Sequence, residues 1–462
     1  MSAEEIHTVE RNESAGATEA GRVLPEGKLL LWAAMVGAVG GVLAIGYYYL
    51  LKGALFLVWN LAAGHDLMSI PTTPGFYPWI LVITTLGGLG VGLVLKYLGT
   101  PGEIAAVVDN IHMKRGRIDP RQTPSMIAAS LVSITAGGSA GPEAPLVQIV
   151  GSFGSWVGDR LKLRGDLVRT LTFCGMGTAL GAFFGAPLGG ALFALEIPHR
   201  RGLEYFEALI PTILAAIVGF FVFRAVVGYE GAIYSFASLK DINLLMISAG
   251  VAFGLLGGAI GALFIGVFGA IGHLLHPFER HKVLLATAGG LLIGVVAQFA
   301  PLTLFWSEFQ IRTLLDGGPA LVTQHGLHVA VEMLVGLALL KMLTIGVTLH
   351  SGFRGGFIFP LFFIGAAIGL AITLAFPSLP APIVILSTMA AVNVAVTKTP
   401  ISTTVILTTL SGTAFLPALL AASFASFLLT TRLSLIRTQR ARNPVVVEDA
   451  EPLVLPVTAA AH

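Results

Sequence analysis

Residues 136–148 read Ala136-Gly-Gly-Ser-Ala-Gly-Pro-Glu-Ala-Pro-Leu-Val-Gln148. Glu143 is the sole ionisable residue between Arg121 and Asp159. A carboxylate inside an apolar stretch is expensive unless it is paired or hydrated, so it reads as functional. Pro142 and Pro145 remove two backbone donors and set a helix start. The N–H groups that follow are left free and favour an anion. Glu143 is then a tethered anion able to fill a site built for a free one. The simpler alternative is a carboxylate that caps its own helix.

A second break, Gly355-Gly-Phe-Ile-Phe-Pro360, offers another helix start. Its glycines permit close backbone approach. Amides near Phe357 and Ile358 are expected to face the same anion. Neutral donors bind a halide weakly enough to release it, as conduction requires. Arg354, just before, either draws anions inward or snorkels to lipid headgroups. A third break, Gly99-Thr-Pro-Gly-Glu103, supplies the Thr100 hydroxyl; alone it is an ordinary turn.

The rest of the chain supplies the setting. Its 462 residues are 55% hydrophobic and only 11% charged, and mean hydropathy is +0.85. Soluble domains carry roughly 25% charged residues, so a soluble enzyme is excluded and a polytopic, all-α membrane protein is predicted. The single cysteine, Cys174, excludes an internal disulfide framework and a cysteine-built metal site. No metal or cofactor is expected, and the net charge of +2 gives no reason to invoke nucleic acid.

Residues 1–27 are polar and acidic and read as a cytoplasmic tail rather than a signal peptide. Residues 28–432 form the membrane domain and 433–462 a short C-terminal tail. Arg22 and Lys28 precede the first apolar run, and Arg432, Arg437, Arg440 and Arg442 follow the last. The positive-inside rule places both ends in the cytoplasm, with an even number of crossings. Only 20 residues follow Arg442, too few for a folded regulatory domain. The apolar runs begin at Leu29–Leu51 and end at Ile401–Leu429, and several are too short to cross alone. Interrupted helices are tolerated at membrane depth where they are buried in protein or line a cavity, as at transporter substrate sites. Pro145 and Pro360 lie 215 residues apart, and Pro187 and Pro400 lie 213 apart. Two nearly equal offsets predict a duplication, with halves of about 28–235 and 236–432.

Together these breaks resemble the CLC family of chloride channels and chloride/proton exchangers, bacterial type without C-terminal CBS domains. The family's Gly-Arg/Lys-Glu-Gly-Pro signature is similar to Gly141-Pro142-Glu143-Ala144-Pro145, followed by Leu146-Val147-Gln148-Ile149. Its Gly-x-Phe-x-Pro is similar to Gly356-Phe357-Ile358-Phe359-Pro360. Its Gly-Ser-Gly-Ile-Pro-Glu survives faintly as Gly99-Thr100-Pro101-Gly102-Glu103. The stretch Phe184-Gly-Ala-Pro-Leu-Gly-Gly-Ala-Leu-Phe-Ala-Leu-Glu196 resembles a further family helix. The resemblance runs in order from about Leu29 to Arg432. It implies two antiparallel, inverted-repeat halves with broken and re-entrant helices, in a homodimer with one anion path per subunit. It also implies location in the cell's inner (plasma) membrane. Glu143 would be the gating glutamate and, in an exchanger, the proton carrier. Gly141 to Pro145, with Gly356, Phe357 and Ile358, would line the anion sites.

The departures bear on mechanism. The family's pore serine falls on Gly99 or Thr100, and its pore tyrosine falls on Gly412 when aligned through Leu416-Pro417. Where many exchangers carry an inner proton-accepting carboxylate, this chain has Ile197, directly after Glu196. A proton relay needs titratable groups or water along its path. These substitutions predict channel-like or weakly coupled conduction of chloride or a similar anion. A coupled chloride/proton antiporter is the alternative, with protons as the second substrate.

Other ionisable residues read plainly. Glu332 and Lys341 are nine apart, poorly placed to pair on one helix face, and each is expected at a polar interface or the headgroups. Glu196, near His199, Arg200 and Arg201, is expected to be a solvated helix end. His273 and His276 read as headgroup contacts. Lys398 is ambiguous. A membrane-embedded hydrolase is the competing class, but His-Glu-x-x-His is missing from the chain. A carrier of larger organic anions is a further alternative, separable by halide binding.

Overall fold

The structure is a computed structural model that describes residues 21–65, 71–201, 207–228, 234, 236 and 243–441. Among the described residues it has two runs of eight helices. The first run is α1 (Glu26–Leu55), α2 (Pro78–Tyr97), α3 (Ile104–Met113), α4 (Thr123–Thr135), α5 (Glu143–Arg160), α6 (Gly165–Phe184), α7 (Pro187–Glu196) and α8 (Leu209–Val227). The second is α9 (Leu244–Leu275), α10 (Lys282–Phe299), α11 (Glu308–His325), α12 (Leu327–His350), α13 (Ile358–Ala375), α14 (Ala381–Thr397), α15 (Pro400–Ser411) and α16 (Leu416–Thr430). A π-helical turn, Phe56–Ala62, extends α1. Among the described residues, nine helices are long and apolar enough to cross a bilayer.

The repeat expected from proline spacing is present in three dimensions. Helices α5 and α13 begin 215 residues apart, and α7 and α15 begin 213 apart. The loop before α5 donates from Ser139 N–H to Thr348 Oγ1 on α12, at 3.1 Å. The loop before α13 donates from Arg354 N–H to Ser133 Oγ on α4, at 3.2 Å. Donors 139 and 354, and acceptors 133 and 348, are again 215 apart, so one hydrogen bond is the pseudo-symmetric image of the other. Counterpart elements also pack on each other. Helix α2 crosses α10 closely because Gly88 abuts the Ala286 carbonyl and Gly290 abuts the Thr84 carbonyl, where a Cβ would clash. Small residues of this kind let membrane helices approach.

Burial separates inner from outer helices. Helices α6 and α13 are largely enclosed, whereas α1, α8 and α9 present Leu31, Ile210, Phe221 and Leu245 outward. Apolar exposure on this scale needs lipid as its solvent.

Two readings of the apolar runs need correction. Helices α3 and α11 lie outside the runs read as clear apolar segments. The run Ile401–Leu429 is two helices, broken at Gly412, whose φ of 119° ends α15. Described residues on both sides of 28–432 are also built into the fold. Helix α1 starts at Glu26. Residues 433–441 fold back, burying Ile436 and Gln439. Strand β1 (His199–Arg201) pairs in parallel with β2 (Arg440–Ala441). Residues 1–20 of the N-terminal tail and 442–462 of the C-terminal tail lie outside the described residues.

Candidate functional site

The two predicted helix starts meet. Gly141 N–H donates to Gly356 O and Gly356 N–H to Gly141 O, each at 2.7 Å. This bridge holds the start of α5 against the start of α13. Glu143 is the first residue of α5 and is 1% exposed. Its Oε1 accepts from Phe359 N–H at 3.4 Å, a long contact. The amides of Ile358 and of Glu143 itself also face the carboxylate. Oε2 has no hydrogen-bond partner among the described residues. A Cβ on Gly141 or Gly356 would overlap the Glu143 carboxyl group. The two glycines therefore form a cradle that only they can form.

Gly141, Pro142, Ala144, Pro145, Gly356, Phe357 and Ile358 are all buried around this carboxylate or next to it. Two helix N-termini converge on one buried oxygen acid. Each carries partial positive charge from its unpaired N–H groups. The pocket is therefore suited to holding negative charge without a formal cation.

Two cavities lie at this site, and one of them touches Glu143. One, of about 30 Å³, touches Glu143, Val147, Phe193 and Ile197. A water needs roughly 10–15 Å³ of such space, so this cavity has room for one or two. The other, of about 80 Å³, touches Phe357, Arg354, Phe353 and Ile436. Glu103, Met126 and Ala144 line both. Ile197 and Glu143 thus line the same cavity.

A family model described as voltage gated chloride channel matches residues 87–431. This chain belongs to that family. Its membership assigns CLC-type anion transport and an integral membrane location. The chain is 29% identical over 343 residues to the chloride/fluoride channel protein of Pseudomonas syringae pv. tomato, covering 74% of this chain and 71% of the relative. It is 27% identical over 327 residues to the putative ion-transport protein YfeO of Escherichia coli, covering 69% and 74%. A CLC-type fluoride/proton antiporter superposes with a TM-score of 0.69 at 18% identity, covering 90% of this chain and 98% of that one. A slow cyanobacterial Cl−/H+ antiporter gives 0.70 at 22% identity, covering 89% and 96%. These structures share the CLC fold.

Several expected side chains of this CLC-family chain lie elsewhere. Thr100 is exposed, its hydroxyl accepts from Lys282 Nζ at 2.7 Å, and it lines neither cavity. Gly412 lines neither cavity, whereas Leu435 and Ile436 of the C-terminal segment line the larger one. Arg354 does not snorkel: its side chain is 7% exposed and its Nη1 donates to Glu103 Oε1 at 2.8 Å.

Glu196 is not a solvated helix end. It is 4% exposed and accepts from Ile401 N–H, Ser402 N–H and the Ser402 hydroxyl. It caps α15 from the end of α7, its counterpart in the other half. The unpaired N–H groups at the start of α15 explain why a carboxylate is buried there. Lys341 does not reach headgroups. It is fully buried, donating to Thr303 O and Phe305 O at 2.8 and 3.0 Å, with its ammonium over Phe363. The carbonyls of this tight loop supply acceptors where no carboxylate is placed. Lys398 occupies the left-handed region at φ 62° and donates to Ala395 O, Thr430 O and the Thr430 hydroxyl. Its counterpart, Gly185, caps α6 in the same conformation at φ 66°.

Proposed function

We propose that this chain conducts chloride or a similar small halide, with Glu143 as the gate and little coupled proton movement. The observation that carries the reading is the Glu143 carboxylate seated between two helix N-termini, cradled by Gly141 and Gly356. A tethered anion in that seat competes with a free one. Protonation neutralises the carboxylate and weakens its hold on the amides, so an anion takes its place. Gly141–Pro145 and Gly356–Ile358 are the backbone that receives it. The P. syringae relative, named a chloride/fluoride channel protein, supports testing both halides.

The weak-coupling half rests on Ile197. It supplies no titratable group at the inner end of the cavity that starts at Glu143. Coupled chloride/proton exchange is the second reading, favoured by that cavity's room for water.

Both described ends lie on one face. Arg22 bonds Lys162, Asp159 pairs with Arg117, His112 reaches Pro198, and His199 pairs with Arg440. This face also carries Lys114, Arg160 and Arg432, and we assign it to the cytoplasm of a cell's inner (plasma) membrane. The halves divide near residue 235. The outer faces of α8 and α16, which expose Phe221 and Phe424, are assigned to a homodimer contact. Uptake of labelled chloride and fluoride into liposomes tests the function. Saturable uptake that an organic anion fails to inhibit supports it, and uptake no faster than through protein-free liposomes rejects it.

A further inference from the structure

Arg354 is a cation without an obvious purpose. It lies in the loop that leads into α13, two residues before Gly356. Burying a guanidinium is costly unless its donors are filled. Here they are only partly filled. Nη1 donates to Glu103 Oε1 at 2.8 Å and to Phe353 O at 3.2 Å. The buried Nε–H has no hydrogen-bond partner among the described residues.

The pairing with Glu103 does not resemble a structural clamp. Such clamps are commonly bidentate and enclosed on both sides. This one rests on a single contact, and the Glu103 side chain is 54% exposed. A carboxylate half in water is readily exchanged, because water competes for it and salt screens it. Beside the guanidinium lies the cavity of about 80 Å³ that reaches Phe357. A water needs roughly 10–15 Å³, so the cavity admits a halide together with water. Its remaining wall includes Ile436, Met126 and Leu349, which offer no strong side-chain donor.

We infer that Arg354 forms a second site for a small inorganic anion, between Ile436 and Phe357, and that Glu103 occupies its guanidinium when the site is empty. The inference rests on the anion-transport reading and adds a site distinct from the amides around Glu143. An anion entering from the face of the chain termini displaces Glu103 and pairs with Arg354. It then lies next to the backbone of Gly355 to Phe357, which leads to Glu143. Guanidinium is weakly hydrated and stays charged at every working pH. Return of the Glu103 carboxylate expels the anion, which keeps the site from trapping it.

The test is chloride binding by calorimetry on the purified full chain in detergent, alongside chloride uptake into liposomes. Arg354→Gln is expected to weaken binding about tenfold or more, the scale of losing charge-assisted hydrogen bonds, and Arg354→Lys to recover part of it. Glu103→Gln keeps the shape, removes the competing charge and is expected to tighten binding several-fold. If Arg354→Gln does not fold, Glu103→Gln decides, and an unchanged affinity there overturns the inference. Wild-type uptake with both variants binding as wild type overturns the Arg354 site alone. No uptake by any form, wild type included, overturns the transport reading beneath it.

Discussion

Gly141 and Gly356 exchange two backbone hydrogen bonds of 2.7 Å, and they lie 215 residues apart, the same offset that relates the two halves. The bridge therefore straddles the pseudo-twofold axis of the molecule. An inverted repeat places its own counterparts face to face there, so the starts of α5 and α13 must meet. The site is asymmetric in chemistry all the same. The counterpart of Glu143 is Ile358, so two matching backbones hold one carboxylate between them.

Removing that carboxylate separates gate from path. Glu143→Ala is expected to retain anion flux, because the amides stay in place, and to lose the rise in flux on acidification that protonation of Glu143 produces. Chloride efflux from liposomes across pH 5 to 8 checks this. A variant with the wild-type pH profile contradicts the gating role.

Filling the cradle has the opposite geometry and a related result. Gly356→Ala places a Cβ onto the Glu143 carboxyl group. The carboxylate is expected to be pushed from its seat, raising flux at neutral pH and flattening its pH dependence. Overpacking of this kind costs about 1–3 kcal/mol, readable as a lowered melting temperature in detergent.

Position 197 reports on protons. Ile197→Glu installs a carboxylate at the end of the cavity that opens on Glu143. More protons moved per chloride is the expected result, measured with a pH electrode during chloride-driven flux. An unchanged ratio in a folded variant shows that the inner end of this cavity does not limit proton movement.

Glu196 is expected to act on stability rather than on gating. Glu196→Ala strands three donors of α15 that it now accepts from, a loss of roughly 1–3 kcal/mol. Ser402→Ala removes only the hydroxyl contact and should cost less. Thermal unfolding in detergent compares the two, with the pH profile of chloride flux unchanged in both.

Much of this site is visible in the sequence because it is made of backbone. Proline and glycine mark where helices start, and Pro145, Pro360, Pro187 and Pro400 carry the repeat in their spacing. An isolated Glu143 between prolines stands out in an apolar chain. Side chains that act across the fold are harder to see. Arg354 and Glu103 lie 251 residues apart in the chain and meet only because the halves interlock. Glu196 looks solvated beside His199 and Arg200 until α15 is placed over it. Ile436 hides in a basic segment whose neighbours suggest a free tail. The polar helix α11 escapes a search for apolar runs, since Glu308, Arg312 and Asp316 interrupt it.

Simultaneous recording of chloride and proton flux from reconstituted liposomes under an imposed chloride gradient tests the central claim most directly. Chloride efflux with little proton movement against its own gradient is the predicted result, with Ile197 as the reason. Stoichiometric uphill proton movement driven by chloride would contradict it and make the protein a coupled exchanger.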